Sequence, residues 1–174
     1  MIDIDHNQLN QIELRDLLVT SDKVAHVQVG NNLEHALLVL TKTGYTSIPV
    51  LNPRFQLQGF VSMTLILDSI LGLKRIEFER LETMKVEEVM NQNVPRVSMK
   101  KSVLKVINAM INHPFLCVEN EDGIFEGILT RRNLLKSLRR QSIILPKELF
   151  QVIFLRNRVS AYLSPFFSYM IKVK

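Results

Sequence analysis

Apolar residues follow two patterns along this chain, and the two patterns alternate in a fixed order. Short apolar runs, or apolar residues at every second position, are typical of β-strands, whereas apolar residues spaced three and four apart are typical of helices. Helical spacing occurs at residues 33, 36, 37 and 40 and again at residues 103, 106, 107 and 110. We predict strands at 47–51, 57–62, 115–119 and 125–129, closing helices at 63–71 and 131–139, and short extended segments around 27–29 and 97–99.

The same order of elements occurs twice, which indicates an internal duplication. Residues 24–29 match residues 94–99 at an offset of 70. The paired positions include Tyr45 with Phe115 and Ile48 with Val118 at this offset, and Gly59 with Gly127 at an offset of 68 after the second copy loses two residues. Each copy is predicted to form strand, helix, strand, strand, helix, a unit of about 50 residues that is too small to bury a large core alone. Two copies stacked about a pseudo-twofold axis would share a buried face.

Capping residues and changes in charge pattern suggest where the parts of the chain begin and end. Asn31 or Asn32, and Ser102, stand where helix N-caps are expected, and Gly72 stands where a C-cap is expected. The sequence divides into a first copy at 10–72, a partly helical linker at 73–88, a second copy at 89–140 and a C-terminal extension at 141–174.

Charge and cysteine content narrow the function classes. The net charge is +5, but residues 139–174 hold seven basic residues against one glutamate, so the repeat itself is nearly neutral and does not resemble a nucleic-acid-binding module. A lone Cys117 cannot form an intramolecular disulfide, and with no signal peptide a cytoplasmic location is expected. The extension, basic and aromatic, leaves three alternatives: docking on the protein, lack of fixed structure, or membrane contact, which we rank last.

No arrangement of residues typical of catalysis or metal binding occurs in the sequence. It has no nucleophile elbow, no P-loop and no histidines or cysteines at metal-ligand spacing. The prediction is therefore a non-enzyme without catalytic residues, metal or cofactor.

Two motifs within the repeat resemble those of a known family. Gly-Tyr-Thr-Ser-Ile-Pro-Val at 44–50 and Gly-Ile-Leu-Thr at 127–130 resemble the CBS-domain pair, or Bateman module. That resemblance implies an α/β (α+β) fold of two tandem CBS motifs, β-α-β-β-α, related by a pseudo-twofold axis. Residues 23–46 and 125–132 are more closely similar to the small stand-alone CBS-pair proteins of Gram-positive bacteria that act as cyclic di-AMP receptors.

This closer resemblance implies a ligand, a site and partners. The ligand is cyclic di-AMP, bound in a cleft between the motifs of a cytoplasmic homodimer. The target protein is the (p)ppGpp synthetase/hydrolase of the stringent response or, second, a metabolic enzyme such as pyruvate carboxylase. The resemblance makes Lys23, Ala25, Thr46, Ser47, Arg131 and Arg132 the contact residues, with Tyr45 beside them in the same motif, and Val27, Ile48 and Pro49 are expected to form apolar walls for the adenine. Arginines at a helix start suit phosphate oxygens.

The sequence departs from the family pattern where nucleotide-binding members place a ribose-binding Asp. Asn133 stands there in copy two and Leu65 in copy one, which argues against AMP or ATP. The first copy has Met63 and Thr64 in place of the two arginines, so one cleft alone is equipped for phosphate. An energy sensor binding AMP, ADP or ATP, and a dimerising adaptor with no ligand, remain as alternatives.

Overall fold

A computed structural model describes residues 12–140 of the chain, and the predicted fold class, an α/β (α+β) pair of tandem motifs, is confirmed. The helices are α1 (Leu14–Leu17), α2 (Leu33–Thr43), α3 (Met63–Ile70), α4 (Arg80–Thr83), α5 (Val86–Val89), α6 (Val103–Met110) and α7 (Arg131–Arg140). The strands are β1 (Leu18–Thr20), β2 (Val27–Gln28), β3 (Ser47–Leu51), β4 (Leu57–Ser62), β5 (Arg96–Val97), β6 (Phe115–Glu119) and β7 (Phe125–Thr130). A 3-10 turn at Ser21–Lys23 follows β1. The extension at 141–174 lies outside the described residues.

The strands form one sheet for each copy of the repeat. The first sheet has the order β2-β3-β4 and the second the order β1-β7-β6-β5. In each copy the entry strand runs parallel to the next strand because a helix connects them, and the following two strands form an antiparallel hairpin. The order of elements predicted from the apolar spacing is confirmed in both copies.

The correspondence between the two hairpins differs from the predicted one. Ser47 pairs with Ser62 in the first hairpin and Phe115 pairs with Thr130 in the second, so the offset is already 68 at β3. Pairing Tyr45 with Phe115 and Ile48 with Val118 was therefore wrong, and Ile48 corresponds to Leu116. The second copy therefore loses its two residues before β6, in the region of the preceding helix: α6 has 8 residues where α2 has 11.

Each copy pairs with a segment from the start of the other copy. Strand β1 pairs with β7, with Val19 opposite Ile128, and a β-bridge joins Phe60 of the first copy to Asn91. A further bridge joins Gln56 to Ile124, residues that correspond to each other at the offset of 68. An antiparallel bridge between equivalent residues is what a twofold axis between the hairpins produces, which supports the predicted pseudo-twofold arrangement.

The core consists of one cluster under each sheet and a third between the sheets. The third contains Val24, Leu51 and Leu57 from the first copy and Val94, Cys117 and Phe125 from the second. This is the shared buried face that two small copies were expected to need. Burial, with Glu119 nearby, raises the pKa of the Cys117 thiol to about 12, so this cysteine acts as a small apolar residue.

Two of the predicted capping residues differ from expectation. Asn32 caps α2 by accepting a hydrogen bond from the His35 amide, as predicted, whereas the Ser102 side chain makes no capping hydrogen bond. Gly72 was expected to be the C-cap of α3, but α3 ends at an extended Leu71. Gly72 lies in the following turn, where an added Cβ would be 2.4 Å from Oε1 of Glu77.

Candidate functional site

A cavity of about 170 Å³ opens between the two copies. The first copy contributes the turn before β2 and the start of β3, the second contributes the start of β6 and the end of β7, and β1 forms part of the wall. The lining residues are Val19, Val24, Ala25, Tyr45, Thr46, Ser47, Pro49, Pro114, Phe115, Ile128 and Thr130. The lining is mostly apolar, with hydroxyl groups of threonine, serine and tyrosine at intervals.

Half of the predicted site residues meet at this cavity. Ala25, Tyr45, Thr46, Ser47 and Pro49 all line it, although Ala25 is some 20 residues from the others in the chain. The parallel pairing of β2 with β3 brings these two segments side by side. Five of the ten residues predicted from the motif therefore lie together at one cavity.

The two apolar wall residues Val27 and Ile48 lie elsewhere, which corrects the prediction. Both are buried in the core of the first copy, with exposed fractions of 2% and 0%. Successive side chains of a strand point to opposite faces, so Ser47 and Pro49 face the cavity while Ile48 between them faces the core. The apolar walls come instead from Val19, Val24 and Pro49 on one side and from Pro114, Phe115 and Ile128 of the second copy on the other.

The basic residues of the predicted site have different positions. Lys23 is exposed at the end of the 3-10 turn, next to Val24 of the cavity lining. Arg132 is exposed at the start of α7, two residues after Thr130 of the lining. Both cations are therefore exposed and lie within two residues of the cavity lining in the sequence.

Arg131, in contrast, is 8% exposed and its guanidinium is engaged with the protein backbone. Nε and Nη2 donate to the Met110 carbonyl oxygen at 3.1 and 2.7 Å, and Nη2 donates to the His113 carbonyl oxygen at 3.1 Å. Burial lowers the pKa of Arg131 from its usual value, although an arginine stays protonated at neutral pH. The structure thus engages this side chain with the carbonyl groups at the end of α6.

Asn133, which stands where nucleotide-binding members place a ribose-binding Asp, is used within the fold. Its Nδ2 donates to the Leu17 carbonyl oxygen at 3.3 Å, and its backbone amide donates to Oγ1 of Thr130 at 3.2 Å. Asn133 therefore ties the start of α7 to the segment before β1. An ionised Asp side chain at this position could not donate the hydrogen bond to Leu17.

Six of the lining residues were not predicted from the sequence: Val19, Val24, Pro114, Phe115, Ile128 and Thr130. Pro114 corresponds to Thr46 and Phe115 to Ser47 at the offset of 68, so the pseudo-twofold axis places equivalent segments at the same cavity. Applying the offset of 68 from β3 onwards, and not only from β4, would have identified Pro114 and Phe115. Val19 gave no signal in the sequence, because it reaches the cavity only through the pairing of β1 with β7.

Asp22 lies next to Lys23 in the 3-10 turn that follows β1. A hydrogen bond with the Thr20 side chain lowers the pKa of the Asp22 carboxyl group, so Asp22 carries a negative charge beside Lys23. Within residues 12–140, no group of three or more histidine, cysteine or acidic side chains is arranged to hold a metal ion. No helix in the same part of the chain is long and apolar enough to cross a membrane.

Comparison with known proteins gives consistent matches. A family model described as CBS domain matches residues 14–72 and 86–140. Cyclic di-AMP receptor B of Bacillus subtilis (strain 168) is 51% identical over 140 residues, which cover 80% of this chain and 95% of that protein. The crystal structure of CbpB from Listeria monocytogenes in complex with c-di-AMP is 53% identical, with a TM-score of 0.70 over 74% of this chain and 96% of that one. A CBS domain-containing protein of unknown function from Bacillus anthracis str. Ames Ancestor is 57% identical, with a TM-score of 0.71 over 77% and 97%.

Proposed function

Since this chain belongs to the CBS domain family, with both copies of its repeat matched, we propose that it is a receptor that binds cyclic di-AMP and controls a partner protein according to occupancy. It is a regulatory protein and not an enzyme, because the CBS domain is a regulatory domain and its Bacillus subtilis relative is a receptor. The proposal places it in the cytoplasm, a reducing compartment that suits a single buried thiol.

The observation that carries the proposal is the cavity between the copies, lined by the residues of the recognition motif. Its volume of about 170 Å³ is smaller than the roughly 300 Å³ at which pockets for whole ligands begin, so it suits one base of a larger nucleotide. Pro49, Phe115 and Ile128 supply apolar surface for a ring. In this proposal the backbone groups of Ala25 and Ser47, which also line the cavity, read the polar edge of that ring.

The remainder of the ligand would lie at the mouth of the cavity, against Lys23 and Arg132. A guanidinium can bind two phosphate oxygens at once, and a lysine adds a point charge. Met63 and Thr64 occupy the equivalent positions at the start of α3. We therefore propose that one cleft per chain binds the dinucleotide, with Arg132 as its principal phosphate contact.

In this proposal, the binding of cyclic di-AMP and the binding of the target protein are thermodynamically linked. If cyclic di-AMP lowers the affinity of the receptor for its target, the target must lower the affinity for cyclic di-AMP by the same factor. We propose the (p)ppGpp synthetase/hydrolase as the target and pyruvate carboxylase as the second candidate. This choice is supported by the family resemblance alone, and the reciprocity gives a way to test any candidate target.

The ligand proposal is tested by isothermal titration of the full-length protein with cyclic di-AMP, with ATP and AMP titrated in parallel. We expect binding to cyclic di-AMP with a submicromolar Kd and much weaker binding of either mononucleotide, because Asn133 is turned toward Leu17 and is not available for a ribose. Tight mononucleotide binding would instead favour the energy sensor, and no heat from any of the three would favour the adaptor.

We further propose that the receptor is a homodimer formed through an apolar patch on α3 and the turn after it. Five of the eight exposed large apolar side chains among residues 12–140 fall within twelve positions: Leu67, Leu71, Leu73, Ile76 and Phe78. A bridge between Leu71 and Ile76 and a hydrogen bond from Arg80 Nη1 to the Ser69 carbonyl oxygen hold the turn in place. A clustered apolar patch on an ordered turn is typical of an interface.

Replacing Leu73 and Phe78 together with Asp is expected to convert the dimer to a monomer, because two charges would be buried without partners at the interface. Light scattering coupled to gel filtration measures the mass directly. Lys105→Asp, on the exposed face of α6, introduces the same group away from the patch and should leave the dimer intact. A dimeric double variant would show that the copies meet elsewhere.

A further inference from the structure

Of the charged side chains in the described part of the chain, Arg131 alone is buried, and three of its side-chain hydrogen bonds go to one short segment. Its guanidinium donates to the carbonyl oxygens of Met110 and His113, and its backbone amide donates to the Pro114 carbonyl oxygen at 3.0 Å. Side chain and backbone therefore hold three carbonyl groups of the turn that joins α6 to β6. That turn leads directly into Pro114 and Phe115 of the cavity lining.

Comparison of the two copies shows why this turn needs an arginine. In the first copy, α2 ends at Gly44, which adopts the left-handed conformation with a φ of 69° and donates its amide to the Leu40 carbonyl oxygen. This is the usual way for glycine to close a helix. The corresponding position in the second copy is Asn112, and the chain there lacks a left-handed cap.

At the end of α6, the guanidinium of Arg131 donates hydrogen bonds to carbonyl groups that no left-handed residue caps. A cation near the C-terminus of a helix is favoured by the exposed carbonyl groups and the helix dipole. The equivalent residue in the first copy is Met63, whose side chain has no hydrogen-bond donor, and there the glycine is present. The two copies thus end this helix differently: the first uses a left-handed glycine, and the second uses the buried arginine.

We propose that Arg131 is a positioning residue for the cyclic di-AMP site: it holds the Met110–Pro114 turn so that Pro114 and Phe115 form the cavity wall, and it acts on the ligand through that wall. This inference rests on the proposed function. It divides the arginine pair into two roles, with Arg132 as the phosphate contact and Arg131 as the support behind the apolar wall.

The test compares Arg131→Lys and Arg131→Met in the full-length protein. Lysine keeps the charge but cannot donate to both carbonyl groups in the forked geometry, and methionine is the residue at the equivalent position of the first copy. Two quantities are measured: the Kd for cyclic di-AMP by titration, and hydrogen exchange of the ligand-free protein. Arg139→Met, which removes an exposed arginine from the other end of α7, is the matched control.

We expect both Arg131 variants to raise the Kd by about tenfold or more, the loss typical of removing a support behind a ligating group. Exchange should accelerate in residues 110–115 and stay unchanged elsewhere, and the control should match wild type in both measurements. Preserved affinity in Arg131→Lys alone would mean that the charge acts on the ligand directly, which overturns the proposal.

An unchanged Kd in both variants, with faster exchange in the turn, would also overturn the proposal, because the turn would then be irrelevant to binding. A wild-type protein that binds no cyclic di-AMP would overturn the proposed function instead. In that case, exchange in residues 110–115 still decides whether Arg131 holds the turn.

Discussion

Arg132→Ala is expected to weaken cyclic di-AMP binding about ten- to a hundredfold while leaving the melting temperature unchanged. A hydrogen bond between a guanidinium and a phosphate contributes roughly 1.5–3 kcal/mol, and each 1.4 kcal/mol corresponds to a factor of ten in Kd. Arg132 is exposed, so its removal leaves no buried group without a partner. Titration calorimetry measures the Kd, and differential scanning calorimetry measures the stability.

Arg139→Ala is the control for this experiment, since Arg139 is also an exposed arginine on α7 but lies at the end far from the cavity. It removes the same charge without removing the proposed contact. Equal affinities of the two variants would contradict the assignment of Arg132, because binding would then depend only on the overall charge of the helix.

Gly127→Ala is expected to cost about 2–4 kcal/mol of stability, because a side chain at this position has no space. An added Cβ would lie 2.1 Å from the Val19 carbonyl oxygen, and the backbone has a φ of 149°, which L residues rarely adopt. Strand β1 would have to move away from β7, and Val19 lines the cavity. Thermal unfolding should therefore show a decrease of about 5–15 °C in Tm, and cyclic di-AMP binding should weaken as well.

Gly30→Ala separates the effect of backbone strain from the effect of the steric clash. Gly30 also has a positive φ, of 87°, but an added Cβ would meet no atom within 4 Å. Its substitution should cost only the backbone strain, about 1–2 kcal/mol, and should leave the Kd unchanged. If Gly127→Ala were no more damaging than Gly30→Ala, the close packing of β1 on β7 would not contribute to stability.

The two halves of the cavity differ in how far the sequence could predict them. Ala25, Tyr45, Thr46, Ser47 and Pro49 belong to one copy and follow a recognisable motif, so they were predicted together. The opposite wall depends on where the second copy loses two residues, and similarity of side chains placed that loss one strand too late. Hydrogen-bond register places it in the helix, because equivalent pairs such as Ser47 with Ser62 and Phe115 with Thr130 cannot be shifted without breaking the hairpin.

The different positions of Arg131 and Arg132 could not be predicted from the sequence either. In the sequence they are adjacent, carry the same charge and begin the same helix. Successive residues of a helix point about 100° apart, so one of them faces the core and the other faces solvent. Which arginine is buried depends on how α7 packs on its sheet, and that packing follows from apolar contacts such as those of Leu134 and Leu138.

By itself, the sequence determined the duplication, the order and bounds of most strands and helices, and the family, because each of these is recorded in local spacing and contiguous motifs. The tertiary structure decided how the copies complete each other, which residues close the cavity, and what Arg131 and Asn133 bind. Those features depend on contacts between distant parts of the chain, such as the hydrogen bond from Asn133 to Leu17 across 116 positions. In this case the pairing of β1 with β7, strands from opposite ends of the repeat, brings the two groups together.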